Sequence, residues 1–446
     1  MASLRVYVLY IPLVFVFSLF VANEESLRLL GYYYLAFPSI IIMAEAFILR
    51  RLSLLAVWQF AFLYIIVSEL LVDYDLLSIW VNGDVAAKYV FMANALVVAG
   101  YSGYMLMRNK HYKSTVIGRV CSNDVLLVYF VIATILVMVF MLPLAVTNLS
   151  SGRDTNIIDA DSTATLLRTF VFGLGMVLPA IIAKQIVANN VQQKNSLALY
   201  FLAISLLFVL LATGTRYYFL FGVGGFLVVL TRDNIFNLSS IRMAIFALVL
   251  GIVAYSAGAI KEMRGGGVHS YQSESSYPDV NLPLLTSIGS MMSPEGVIRQ
   301  TANLITYTEI NDHTYGKAMG FPLYFWVPRS WWSDKPVMTG YWIVRHYEDG
   351  FSEGHSSSVG FFGDPYVDFG YFAFLIVFIY GIILAKIQTI VEANLLASSR
   401  YVDLCAIAYP LVFFFVRSPV TTLTTFVFML IAWFFFNSRA VMSSGR

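Results

Sequence analysis

The sequence predicts an all-α polytopic membrane protein of about 12 transmembrane helices, with one long extramembrane loop late in the chain. Three observations carry this. Of the 446 residues, 59% are apolar and only 12% charged, against about 25% charged in soluble domains, and the mean hydropathy is +0.75. Apolar runs close to the roughly 20 residues that a spanning helix needs recur along the chain. Basic loops alternate with acidic ones between those runs. The balance of 28 Lys+Arg against 26 Asp+Glu leaves no general basic surface for nucleic acid. Cys121 and Cys405 lie too far apart in sequence to indicate a disulfide framework or a thiolate metal site.

In chain order the apolar runs cover 6–22, 29–49, 54–72, 86–107, 124–147, 166–188, 196–213, 216–230, 241–260, 367–387, 402–418 and 420–437. The first, VYVLYIPLVFVFSLFVA after Arg5, is long for a signal-peptide core and lacks a small-residue cleavage site, so it is expected to remain as a span. The runs at 216–230, 402–418 and 420–437 are short. Basic residues in short loops mark the cytoplasmic side. One set of loops holds Arg50, Arg51, Arg108, Lys110, Lys113, Arg119, Lys184, Lys194, Arg232, Arg242, Lys386 and Arg400; the alternate set holds Glu24, Glu25, Asp73, Asp75, Asp84, Asp154, Asp159 and Asp161. Both termini are therefore expected in the cytoplasm. The expected division is 1–260 with nine spans, 261–365 as an external loop, and 366–446 with three spans. In a background without native cysteines, Ser275→Cys is expected to react with an impermeant maleimide from outside. Asn190→Cys should react only after permeabilisation, and the opposite pattern would put the loop in the cytoplasm.

The 261–365 loop is too long to be structureless, so it should contain helices of its own. It holds His269, His313, His346 and His355, four of the five histidines, and Trp326, Trp331, Trp332 and Trp342, four of the seven tryptophans. Trp331, Trp332 and Trp342, with Tyr366 just beyond, are candidate apolar platforms for sugar rings, because an aromatic face pairs with C–H surface. For Trp331 and Trp332 in VPRSWWSDKP, an interfacial aromatic belt is the alternative. Seven basic against eleven acidic residues leave the loop at net minus four. Any phosphate it holds must be met by individually placed arginines.

Arg216, in LLATGTRYYFLFGVGG, follows a turn of about three residues at the outer edge of the bilayer, the side on which arginine is disfavoured. That is the depth of a lipid pyrophosphate; a snorkelling surface arginine is the alternative. Arg417 in FFFVRSPVTT repeats the situation, and Arg264 is backed by Gly265, Gly266 and Gly267, a hinge that would let it close over a ligand. Arg329 and Arg345 are further candidates from the loop. Glu45, Glu69, Asp368 and Asp403 are acids within or near spans and so are functional candidates by default. No GxxxxGK[ST] or HExxH pattern occurs, so neither nucleotide hydrolysis nor zinc proteolysis is suggested.

Many spans, Tyr- and Phe-rich helices, TGTRYYFLFGVGG after a tight outer turn, one long late loop and its exit GHSSSVGFFGDPYVDFGYFAF together resemble the bacterial oligosaccharide repeat-unit polymerases, the Wzy-type O-antigen polymerases. The resemblance implies an inner-membrane glycosyltransferase of the lipid-dependent type. Its substrates would be undecaprenyl-pyrophosphate-linked oligosaccharides, with no metal, nucleotide sugar or other cofactor, and a chain-length regulator protein would be a partner. A hydroxyl of the acceptor's outer sugar would attack the donor's anomeric carbon, and lipid pyrophosphate would leave. Such a reaction needs cations for the leaving group's charge, met here by Arg216, Arg264, Arg417, Arg329 and Arg345, and a base for the hydroxyl proton. His355 is the first choice of base, since an imidazole accepts a proton near neutral pH; Asp364, where the resemblance places an acid, is the second. An O-antigen ligase and a lipid-linked oligosaccharide flippase or secondary transporter remain as alternatives. The transporter layout is opposed by the absence of visibly repeated halves and by a large loop that is external rather than central.

Overall fold

A computed structural model describes residues 53–62, 65, 83–108, 124–151, 162–191, 196–213, 216–230, 297–347, 357–396, 402–427 and 429–431. The expected spans at 6–22, 29–49 and 241–260, together with His269, Arg264 and His355, lie outside them. The described residues contain helices, turns and short irregular segments and no strand, in keeping with the expected class. Three helices are long and apolar enough to cross a membrane, Val128–Val146, Thr169–Val187 and Gly360–Val391. Five shorter apolar helices accompany them: Ala95–Met107, Leu197–Ala212, Tyr217–Leu230, Ile407–Arg417 and Pro419–Ile431.

The chain divides into two compact units that do not follow the boundaries expected from sequence. The first comprises residues 1–116, 294–397 and 411–424. The second comprises 117–293, 398–410 and 425–446. Much of the expected external loop thus shares a unit with the span that follows it, because helices within the loop pack on that span's neighbours.

In the first unit, helix α1 (Leu54–Phe62) starts at Ser53, whose Oγ accepts the Ala56 N–H at 3.1 Å as an N-cap. The Leu54 N–H, an orphan of the first turn, donates to Gln388 Oε1 at 2.6 Å. That bond ties α1 to a long helix, here α11 (Ala373–Leu396). The most extensive packing in the unit is between α11 and α2 (Gly83–Arg108), and small residues permit it. A Cβ on Gly381 would stand 1.7 Å from the Gly100 carbonyl oxygen, and one on Gly103 would stand 2.0 Å from that of Phe378. The two backbones are therefore in direct contact. On its other side α11 shows Leu375, Ile379, Ile383 and Ile390, an exposed apolar stripe at helical spacing.

The second unit contains α3 (Asp124–Ser151), α4 (Ser162–Val191), α5 (Leu197–Ala212) and α6 (Arg216–Leu230). Val137, Met141, Phe172, Leu178, Leu206 and Leu210 form its core. Phe172 stacks on Tyr218 with centroids 4.1 Å apart. α4 is the most covered of the spans, while α3 turns most of its apolar surface outward. Helix α5 ends where Thr213 Oγ–H bonds the Leu210 carbonyl at 2.7 Å, and α6 begins three residues later. The connection before Arg216 is as short as the sequence requires.

The late loop folds as α7 (Val297–Ile310), the short α8 (Phe321–Tyr324), α9 (Thr339–Tyr347) and α10 (Gly360–Phe369). Helix α10 crosses the 365/366 boundary, so the start expected at 367 for the tenth span is too late by about two turns. A single 3-10 turn, Gly370–Phe372, separates α10 from α11. Glycines in left-handed conformation stand at both ends of α10, Gly360 at φ 70° and Gly370 at φ 56°.

Candidate functional site

Helix α10 presents Asp364 and Asp368 four residues apart, hence on one face. Phe361 and Phe362 at its start are fully buried against Trp58 and Phe62 of α1 and Tyr89 of α2, at 5.9, 6.2 and 5.8 Å between centroids. This aromatic seat fixes the rotation of the helix. Both carboxyl groups are buried: Asp364 is 1% exposed and Asp368 fully buried.

The two carboxyl groups have opposite surroundings. Asp368 accepts the backbone N–H of Ala318 at 3.1 Å and of Met319 at 2.7 Å, and also the Thr314 hydroxyl. It pins the turn in which Tyr315 and Gly316 take positive φ, 48° and 90°. Asp368 is thus a structural acid, and a buried charge so satisfied is what a native interior tolerates. Asp364 has no such set. The hydroxyl of buried Thr339 stands beside its carboxyl group as a weak donor, close enough to favour the ionised form yet outside the geometry of a full hydrogen bond to Oδ1. A buried acid held by so little is uncommon in an interior.

Thr339 opens α9, and Gly340 next to it lets that helix press on the chain entering α10. A Cβ on Gly340 would lie 2.0 Å from the Ser357 carbonyl oxygen, and the Ser357 N–H donates to Gly340 O at 3.0 Å. Ser358 then donates its hydroxyl to the backbone carbonyl of Arg417. Arg417, half-buried, is the last residue of α12 (Val402–Arg417), and Ser418–Pro419 starts the next helix as N-cap and first residue. The Thr421 hydroxyl donates to Met338 Sδ at 3.4 Å, so this helix start also meets the chain just before α9. The backbone of Arg417 is thus tied to Ser358, in the chain just before α10.

Arg216 is the first residue of α6, in the second unit. Arg329 donates from Nη1 to the carbonyls of Ser333 at 3.4 Å and Lys335 at 3.2 Å within its own loop. Arg345 is exposed in the last turn of α9, a favourable place for a cation at a helix C-terminus.

Of the expected sugar platforms, Trp331 is 80% exposed, and Trp332 is exposed with its ring 5.3 Å from that of Tyr324. Trp342 packs on Tyr307 at 4.8 Å beside the small core of α7, α9 and α10. Tyr366 is buried within α10, edge-on to His313 at 6.4 Å. Trp342 is half-buried and Tyr366 buried, so both also serve in packing. His346 stands edge-on to Tyr307 and Tyr347. Sequence reasoning passed over Thr339 and Ser358, of which only the small pair Thr339–Gly340 amid bulky neighbours gave a sign.

Among the described residues no three His, Cys, Asp or Glu side chains gather as for a metal ion. The chain matches no model of a protein family, no curated protein and no solved structure.

Proposed function

We propose that this chain is an inner-membrane glycosyltransferase that polymerises undecaprenyl-pyrophosphate-linked oligosaccharide repeat units into O-antigen or a related surface polysaccharide. The observation that carries the reading is the buried carboxyl group of Asp364, with only the weakly placed hydroxyl of buried Thr339 beside it. An acceptor sugar hydroxyl bonded to that carboxyl group would have its general base within reach. The substrate class comes from the resemblance to the repeat-unit polymerases.

In the proposed reaction the acceptor hydroxyl oxygen forms a bond to the donor's anomeric carbon as the carbon–oxygen bond to pyrophosphate breaks. Its proton passes to the Asp364 carboxylate, and the electron pair leaves with the lipid pyrophosphate. Arg417, whose backbone is tied to the chain entering α10, meets the developing negative charge with the forked geometry that suits phosphate oxygens. Arg216 keeps the pyrophosphate-binding role expected from its membrane depth. Arg264 keeps the same role and His355 that of alternative base, both outside the described residues. The external face of the membrane is the expected place, since both lipid anchors hold the reacting ends there.

Purified protein supplied with one synthetic lipid-linked repeat unit is expected to yield a ladder of lengths. Product that forms only after lipid A–core is added would make the enzyme a ligase, and no product under either condition would remove the transferase reading. Arg216→Ala is expected to cut polymerisation 10- to 100-fold, the worth of one charge-assisted contact of about 1.5 to 3 kcal/mol. Arg216→Lys should recover little of it, because lysine lacks the bidentate fork. Normal polymer from Arg216→Ala at an unchanged membrane level returns Arg216 to the snorkelling alternative.

A further inference from the structure

The loop between α7 and α9 carries exposed apolar side chains that the proposed reaction does not use. Leu323 is 78% and Trp331 80% exposed, and Trp326 and Trp332 are exposed beside them. Scattered singly, such residues would mean little; here four fall within ten positions.

Their depth is set by the contacts that hold the start of the loop. Asp368 binds the N–H groups of Ala318 and Met319, and the Tyr380 hydroxyl donates to Met319 Sδ at 3.4 Å. Tyr380 lies seven residues into α11, roughly 10 Å along its axis. Even with a side chain that leans back toward the helix start, Met319 sits alongside the first turns of α11 rather than beyond its end. Those turns belong to a helix apolar enough to cross a membrane, with Phe372 and Leu375 exposed on it. The loop leaves Met319 at the level where that apolar stripe begins.

The backbone of the loop is also arranged for a place poor in water. Lys335 Nζ donates to the carbonyls of Phe325 at 3.1 Å and Val327 at 2.7 Å, and Arg329 Nη1 to those of Ser333 and Lys335. Trp326 Nε1 donates to Leu323 O at 2.7 Å, and the Tyr324 hydroxyl to Lys317 O. Six carbonyl oxygens of an irregular segment are thus met by side chains of that same segment. Loops in water leave this task to solvent; near a bilayer it must be done internally. Burial, then the neighbouring Arg329, push the Lys335 ammonium below the ordinary lysine pKa.

From this arrangement we propose that residues 320–335 form a monotopic wedge seated in the phospholipid interface, in the leaflet that holds the Asp364 end of α10–α11. Leu323, Trp326, Trp331 and Trp332 enter the lipid and continue the apolar stripe of α11. Tryptophan at this depth is in its preferred environment, ring in the headgroup zone and indole N–H toward a polar partner. The proposal rests on membrane insertion of α10–α11 and not on the transfer reaction.

The test uses full-length protein in phospholipid nanodiscs, in a Cys121→Ser, Cys405→Ser background, with a nitroxide on Leu323→Cys, Trp331→Cys or Asp312→Cys. At positions 323 and 331 dissolved oxygen is expected to relax the label more than a water-soluble nickel complex does, and at exposed position 312 the order should reverse. Nickel access at 323 and 331 equal to that at 312 overturns the wedge and returns Trp331 and Trp332 to sugar platforms in water. Spin–spin broadening between labels at 323 would likewise overturn it, in favour of a second copy covering the face. Leu323→Cys keeps the test decisive if Trp331→Cys fails to fold, since its side chain is mostly solvent-exposed. Each readout reports lipid contact alone, so a failed wedge and a failed transferase are distinguishable.

Discussion

Asp364→Asn is expected to lower polymerisation by about 100- to 10,000-fold, the usual worth of a general base, with donor binding retained. Its effect on stability should be nil or favourable. Removing an ionisable group from a buried site that does not satisfy it relieves a cost that the fold otherwise carries. Asp368→Asn should do the reverse. The amide nitrogen would face donors already aimed at Asp368 Oδ1 and Oδ2, the N–H groups of Ala318 and Met319. A loss of about 1 to 3 kcal/mol is expected from the donors left unsatisfied, read as a lower unfolding midpoint. The pair is decisive because each acid controls for the other. If Asp364→Asn polymerises normally while His355→Ala does not, the base is His355; if both variants work, neither residue is the base.

Gly381→Ala is expected to cost the protein its fold, or most of its yield as a monodisperse species. The added methyl would lie 1.7 Å from the Gly100 carbonyl oxygen, a backbone atom that cannot turn aside. The α2–α11 interface would have to open by on the order of 1 Å or more, and a close-packed interior has no slack for that. Gly103→Ala, at 2.0 Å from the Phe378 carbonyl, should behave alike. Gly222→Ala is the contrast. Its nearest neighbour is Leu207 Cδ2 at 3.0 Å, the end of a flexible side chain, so a cost near 1 kcal/mol is expected. Thermal unfolding in detergent of the three variants reads the difference, and a Gly381→Ala protein as stable as the parent would show that the two backbones are not in contact.

What was legible in the sequence is what a bilayer dictates. Helical class, the short connection before Arg216 and the break at Arg417–Ser418 follow from run length and from Gly and Pro, which local chemistry fixes. The start of the tenth span was misplaced because GFFGDPYVDF mixes acids and a proline with aromatics, and hydropathy reads such a segment as an exit from the membrane. It is helical because Phe361 and Phe362 find partners on α1 and α2, contacts distant in sequence. The separate roles of Asp364 and Asp368 were equally hidden. Both are acids near an apolar run; only the fold of residues 314–319 back onto Asp368 tells one from the other. The packing of Tyr366 and Trp342 was hidden too, because ring type is visible in a sequence and the direction of the ring is not.

The two left-handed glycines that bracket α10 make that helix a ruler. Each residue turns the chain by about 100°, so one residue added between Gly360 and Asp364 would swing the carboxyl group off its face and misalign the following acid with the turn it holds. Apart from the two acids, what this geometry asks of the side chains in α10 is bulk to fill the aromatic seat; what it asks of the backbone is the count of residues. Distant chains built on the same device would therefore share little recognisable sequence and still keep one phase, glycine, three residues, aspartate, three residues, aspartate, one residue, glycine, as it stands at Gly360, Asp364, Asp368 and Gly370.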